Sequence, residues 1–175
     1  IEVCALQLPG SGTRHDEPPI QPWEPLVEAV AEQLLDYLDR PFAFFGYGSG
    51  SLLAYEVAHF VQSRFHLPPG HLFVMGAAAP GLVSNQKAID QETLDHSDPG
   101  FDSYVFTPKP PLECPLSVII DEGNEQIEPS ELQDWSTLSE GDFRVESRVG
   151  PFETSGDDGR LLDTVRQQLQ KIDVS

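Results

Sequence analysis

Residues 46–50, Gly46-Tyr47-Gly48-Ser49-Gly50, have the spacing of a reactive turn. They follow the apolar run Phe42-Ala43-Phe44-Phe45 and precede a stretch with helical apolar spacing. The frame is strand, Gly-x-x-x-Gly, helix. In a G-x-S-x-G turn the outer glycines let a tight strand-to-helix connection close, and the middle residue projects as a nucleophile with strained backbone angles. Here the outer positions hold Gly46 and Gly50, but the nucleophile's slot holds Gly48, which has no side chain and can attack nothing. Ser49 and Tyr47 are the candidate residual groups. A frame centred on Ser49 would put Tyr47 and Ser51 at the outer positions, each with a Cβ where the turn wants none. Neighbours on a tight turn also face different directions, which argues against Ser49 as the attacking group.

Other chemistry fits this turn less well. Gly-rich turns before helices bind phosphates, yet the G-x-x-x-x-G-K-[ST] pattern is absent and no Lys or Arg lies between Arg40 and Arg64. The dinucleotide pattern G-x-G-x-x-G also fails. The plain alternative is a Gly-rich turn kept for packing. Elsewhere, His15 beside Asp16 reads as a solvated pair in a Pro-rich loop. His59 and His66 flank a helix end, His66 suiting the helix C-terminal dipole, and His71 begins a strand. His96 shares a loose metal spacing with Asp95 and Asp98, too loose to predict a site. The acidic run from Asp121 to Glu128 lacks the D-x-[DN]-x-[DN]-G order of a calcium loop. No metal and no cofactor are expected. Trp23 and Trp135 are expected to be packing residues.

The elements that must position this turn follow from composition and periodicity. The chain has 175 residues, 39% hydrophobic and 9% aromatic, which suits one globular domain, residues 1–175. It carries 10 Lys+Arg against 29 Asp+Glu, a net charge of −19. Nucleic acid selects for clustered Lys and Arg, so that class of partner is excluded. No apolar stretch approaches the ~18 residues of a membrane span. Cys4 and Cys114 form neither a metal spacing nor a disulfide framework, which makes a reducing cytoplasm the default. The apolar run at the first residues implies sequence upstream of residue 1.

A strand is expected at 1–8, running into the turn Pro9-Gly10-Ser11-Gly12. Leu26, Val27, Val30, Leu34, Leu35 and Leu38 then recur at helical spacing, with Pro25 in the first turn, where its missing N–H costs nothing. Phe42–Phe45 reads as a strand buried on both faces. A second helix runs from Ser51 to about Phe65, with Leu52, Leu53, Val57 and Phe60 or Val61 inward, and Pro68-Pro69-Gly70 ends it. Leu72–Met75 and Leu116–Ile120 are further strands. Residues 82–111 read as a polar loop with one short helix. Pro129 opens a short helix through Trp135. Phe143–Val149 alternates like a strand near a sheet edge, and Leu161, Leu162, Val165, Leu169 and Ile172 mark the final helix. The fold class is therefore α/β, a mostly parallel sheet with helices on both faces. Ligands in such sheets bind at the carboxyl ends of the strands, after Leu8, Phe45, Met75, Ile120 and Val149.

The chain resembles the type II thioesterases of polyketide and nonribosomal peptide pathways, which have the α/β-hydrolase fold. Leu8-Pro9-Gly10-Ser11-Gly12-Thr13-Arg14 with Glu17-Pro18-Pro19 is similar to their "LPGRGxR…EPP". Pro41 to Gly46, continuing as Tyr47 to Ala58, is similar to "PFAFFGHSMGALLAFEVA". Leu72-Phe73-Val74 with Ala79-Pro80 resembles "HLFVSGRRAP", and Pro111 to Leu116 resembles "PPLDCPI". The resemblance implies where a Ser-His-Asp triad would stand. The family's serine falls on Gly48 and the His before it on Tyr47. Aligned on Pro129-Ser130-Glu131-Leu132, the acid of "GxxDDPxVSPEEL" falls on Asn124. The His of "FPGxHFFL" falls on the stretch Val149-Gly150-Pro151-Phe152-Glu153, with Pro151 in its loop, and the last His of the chain is His96.

The resemblance with these departures implies a thioesterase-like protein of polyketide, nonribosomal peptide or fatty-acyl biosynthesis that has lost the triad. A serine needs a base, and the base needs an orienting acid. Losing the triad alone leaves ~10³–10⁴-fold over water, and that remainder needs an oxyanion hole, part of which the family draws from an N-terminal "FPHAGG" loop ahead of residue 1. Only about 30 residues (81–111) stand where the family carries its helical lid, so the lid is expected to be largely missing and the N-terminal strands absent. The implied partner is an acyl carrier protein or a synthase module. Residues 90–158 hold 18 acidic against 3 basic side chains, which weakens docking to an acidic carrier. Three functions stay open: a binding or scaffolding relative without hydrolysis, an enzyme doing non-covalent chemistry with Tyr47, Ser49, Asn124 and Glu153, and a thioesterase completed by missing segments.

Overall fold

Alternating strand and helix patterns need a sheet that the helices can cover, and a parallel sheet forms. The computed structural model describes residues 2–81, 104–121 and 129–148, together with 163, 165–167, 169 and 170. Strands β1 (Ala43–Tyr47), β2 (His71–Met75), β3 (Leu116–Asp121) and β4 (Phe143–Arg148) lie side by side in chain order, every pairing parallel. Phe45 pairs with Phe73, Phe73 with Ser117, and Ser117 with Arg144. All four strands therefore end on one edge of the sheet.

Helices cover both faces, as the alternation implies. Helix α1 (Trp23–Leu34) packs its stripe of Trp23, Leu26, Val27, Val30 and Ala31 against helix α2 (Ser49–Phe65). Pro25 does sit in the first turn of α1, and the helix tightens into a 3₁₀ turn at Leu35–Tyr37. On one side of the sheet Tyr55 and Ala58 of α2 and Trp135 of helix α3 (Pro129–Ser136) pack on Leu72, Val74, Leu116 and Val118. On the other side Val165 and Leu169, which are helical, cover Phe73, Met75 and Ile119. Helix α2 ends where His66 adopts left-handed angles (φ 57, ψ 37), with the N–H groups of His66 and Leu67 donating to Gln62 and Val61 carbonyls.

Two strand expectations are corrected. Residues 2–8 form no strand: Glu2–Gln7 are exposed, and among the described residues this run has no ladder partner. Apolar alternation makes a strand only where a neighbouring strand pairs its backbone, and no such ladder forms here among the described residues. Leu8, where the run ends, does pack against the α1–α2 core. The strand buried on both faces is β2, all five residues of which are buried, and not β1. β1 is an outer strand of the described sheet, and Phe45 and Tyr47 are 37% and 42% exposed. β4, as its pattern implies, is the opposite edge. The expected lid gap falls largely on residues 82–103, outside the described residues. Cys4 is exposed and Cys114 buried, both as free thiols.

Candidate functional site

The turn after β1 has the shape its glycines imply. Gly48 stands between β1 and α2 with φ 54 and ψ −127. A side chain is strained at such angles, and glycine is not. The Gly48 N–H donates to the Met75 carbonyl at 2.8 Å, and its own carbonyl accepts from the Ser51 N–H at 3.0 Å. Gly46 is required by contact: a Cβ there would lie 2.2 Å from the Gly50 carbonyl oxygen. The need for a second bare position is corrected. A Cβ on Gly50 would meet nothing within 4 Å, so the helix start has room there.

The two candidate side chains go to different places. Tyr47 is the last residue of β1, and its ring lies against Gly76, where a Cβ would approach Tyr47 Cε2 to 3.2 Å. Ser49 opens α2 and is 6% exposed. Gly48, Tyr47 and Ser49 thus stand together at the carboxyl end of β1. Asn124, Pro151 and Glu153 lie outside the described residues, as do Asp95, His96 and Asp98. The chain does leave β3 and β4 at the same edge as β1, because all strands run parallel.

Sequence reasoning passed over the buried polar groups of α2. The Ser51 side chain, fully buried, reaches the carbonyls of Gly46 (2.9 Å) and Met75 (3.0 Å) and the Met75 N–H (3.2 Å). Glu56 is 5% exposed, accepts from the Tyr104 hydroxyl at 2.9 Å and forms an ion pair with Lys109. Farther along α2, the His59 ring nitrogen Nε2 meets the Pro110 carbonyl at 3.0 Å, and Gln62 accepts from the Glu113 N–H at 3.0 Å. Residues 104–113 are thereby strapped along the helix that carries the turn. Desolvation holds His59 below its ordinary pKa. The available signal was polar residues at positions where a buried helix should be apolar.

Trp23 and Trp135 lie in the core clusters, and the acidic run after Asp121 up to Glu128 lies outside the described residues. Trp135 is fully buried, with Nε1 donating to the Ala77 carbonyl at 3.0 Å, and Trp23 is 4% exposed. His15 lies 3.2 Å from Asp16 on the surface, as a solvated pair should. Among the described residues no three His, Cys, Asp or Glu side chains gather as a metal site would require. No described helix is long and apolar enough to cross a membrane.

Comparison with known proteins agrees with this geometry. The thioesterase-domain family model matches residues 1–146. The linear gramicidin dehydrogenase LgrE of Brevibacillus parabrevis is 39% identical over 89 residues, covering 51% of this chain and 34% of LgrE. The gramicidin S biosynthesis protein GrsT of Aneurinibacillus migulanus is 26% identical over 176 residues, covering 83% of this chain and 69% of GrsT. Among solved structures, the RedJ thioesterase from the prodiginine biosynthetic pathway of Streptomyces coelicolor superposes with a TM-score of 0.73 at 31% identity, over 91% of this chain and 76% of RedJ. The chain thus spans about a third of LgrE and somewhat over two thirds of GrsT.

Proposed function

We infer from one premise, that this chain belongs to the thioesterase family, that it is a type II thioesterase-like protein which does not hydrolyse thioesters by a Ser-His-Asp route. The observation that carries the reading is Gly48. The elbow backbone is present, with φ 54 and ψ −127, and the position that should present a hydroxyl has no side chain. Ser49, 6% exposed, is no replacement. Association with polyketide, nonribosomal peptide or fatty-acyl biosynthesis is proposed with the support of GrsT, a gramicidin S biosynthesis protein, and RedJ, a thioesterase from the prodiginine biosynthetic pathway. The role proposed is binding or scaffolding beside an acyl carrier protein or a synthase module, in the cytoplasm.

Acyl-pantetheine thioesters test this directly. No burst and no turnover at ordinary enzyme rates are expected, and a serine-directed phosphonate should leave the protein unlabelled. Hydrolysis that disappears in Ser49→Ala would overturn the reading. Partner choice is tested by native mass spectrometry with candidate carriers. The net charge of −19 predicts that complexes with acidic carriers strengthen as salt rises, because screening relieves like-charge repulsion.

One observation favours a second reading, non-covalent chemistry on a bound acyl intermediate by cyclisation, dehydration or decarboxylation. Tyr47 is 42% exposed beside the turn and offers a phenol to a substrate. Product formation from a carrier-bound acyl chain without hydrolysis, lost in Tyr47→Phe, would support it.

A further inference from the structure

The Ser51 hydroxyl is a fully buried polar group beside the turn that the nucleophile frame does not use. A hydroxyl has one proton. It therefore donates to one of the Gly46 and Met75 carbonyls, at 2.9 and 3.0 Å, while accepting from the Met75 N–H at 3.2 Å. The contact joins the end of β1, the end of β2 and the first turn of α2. Gly48 lies inside this triangle: its N–H is held by Met75 and its carbonyl by the Ser51 N–H. Glycine has the widest choice of backbone angles of any residue, so nothing in Gly48 itself selects φ 54 and ψ −127.

We propose that Ser51 is the positioning residue of the turn, and that its hydroxyl, acting through Gly46 and Met75, holds Gly48 at the angles of a nucleophile elbow. The frame then persists without the serine it would normally present. The proposal rests on residues 46–50 being the turn of the site. Its test reads the backbone and not turnover, so it stands or falls separately from the question of hydrolysis.

Amide hydrogen exchange at Gly48 gives the test. In Ser51→Ala the Gly48 N–H is expected to lose protection at least about tenfold beyond the loss at Phe73 and Val74, which report global opening. Ser51→Thr, which keeps the hydroxyl, should restore it. A double-mutant cycle adds a second readout. Gly48→Ala should raise the unfolding constant roughly tenfold or more, since a Cβ is strained at these angles. That factor should shrink severalfold in Ser51→Ala, where the turn is free to relax. Equal loss of protection at Gly48 and β2, or additivity within about twofold, would overturn the proposal. If Ser51→Ala does not fold, Ser51→Cys, with a weaker hydrogen-bonding group, is read at the same amide by the same criterion.

Discussion

The Tyr104 hydroxyl donates to Glu56 at 2.9 Å, across 48 residues of chain. The bond closes a buried node on α2: Lys109 pairs with the same carboxylate, and the Tyr104 ring meets Trp23 edge-on with centroids 4.8 Å apart. Burial first, and the Glu56 charge second, push the Tyr104 phenol well above the ordinary range, so it remains a donor. Removing the carboxylate strands a phenol and an ammonium together. Glu56→Ala should cost about 2–4 kcal/mol, somewhat less than the ~3–5 kcal/mol of a fully buried broken pair because Lys109 is 29% exposed. Tyr104→Phe should cost about 1–2 kcal/mol. Urea unfolding of both variants checks the order.

The tyrosine next to Glu56 behaves in the opposite way. Tyr55 is fully buried, and its hydroxyl has no hydrogen-bond partner among the described residues. Burial raises its pKa and keeps it protonated. A stranded hydroxyl costs about 1–3 kcal/mol. Tyr55→Phe should therefore be neutral or stabilising by up to about 1 kcal/mol, read as an unchanged or raised Tm.

Two glycines of one motif should respond oppositely to the same methyl group. Gly46→Ala drives a Cβ to 2.2 Å from the Gly50 carbonyl oxygen and should cost about 3 kcal/mol or prevent folding. Gly50→Ala enters open space in the first turn of α2 and should gain up to about 1 kcal/mol. Thermal melts of the two variants decide it.

His71 makes stability depend on pH in a defined window. It is 4% exposed, stacks on Phe73 with centroids 4.1 Å apart, and meets the Ser117 hydroxyl at 2.9 Å. Desolvation, with a smaller push from Arg144, lowers its pKa from 6.5 to about 4. The unfolded chain thus binds the proton more readily. The contribution is full above about pH 6.5, falls by about 1.4 kcal/mol per unit as pH drops towards 4, and levels off below that, about 3 kcal/mol in all. Carboxylates titrate in the same range, so the quantity to measure is the difference in unfolding free energy between wild type and His71→Phe from pH 4 to 7. Parallel curves would contradict the assignment.

The sheet was legible in the sequence where apolar runs met punctuation. Leu72–Met75 reads as a strand because it is an unbroken apolar run bounded by Gly70 and Gly76. Ser51–Phe65 reads as a helix because Pro68-Pro69-Gly70 must stop it. Residues 2–8 misled because alternation records a preference and not the presence of a neighbour. Phe42–Phe45 misled because an apolar run does not say which strand is central. At the site, Gly48 was legible because a missing side chain is a fact of sequence. Ser51 and Glu56 were not, because their roles depend on partners 24 and 48 residues away, and no local spacing encodes those distances.

The chain also carries its own clock for opening. Cys4 stands in solvent, whereas Cys114 is 3% exposed and burial pushes its thiol up to about 11. A disulfide reagent at neutral pH should consume one sulfur at once and the second only as fast as the interior breathes. The lag between the two colour changes times the loosening of the segment that leads into β3.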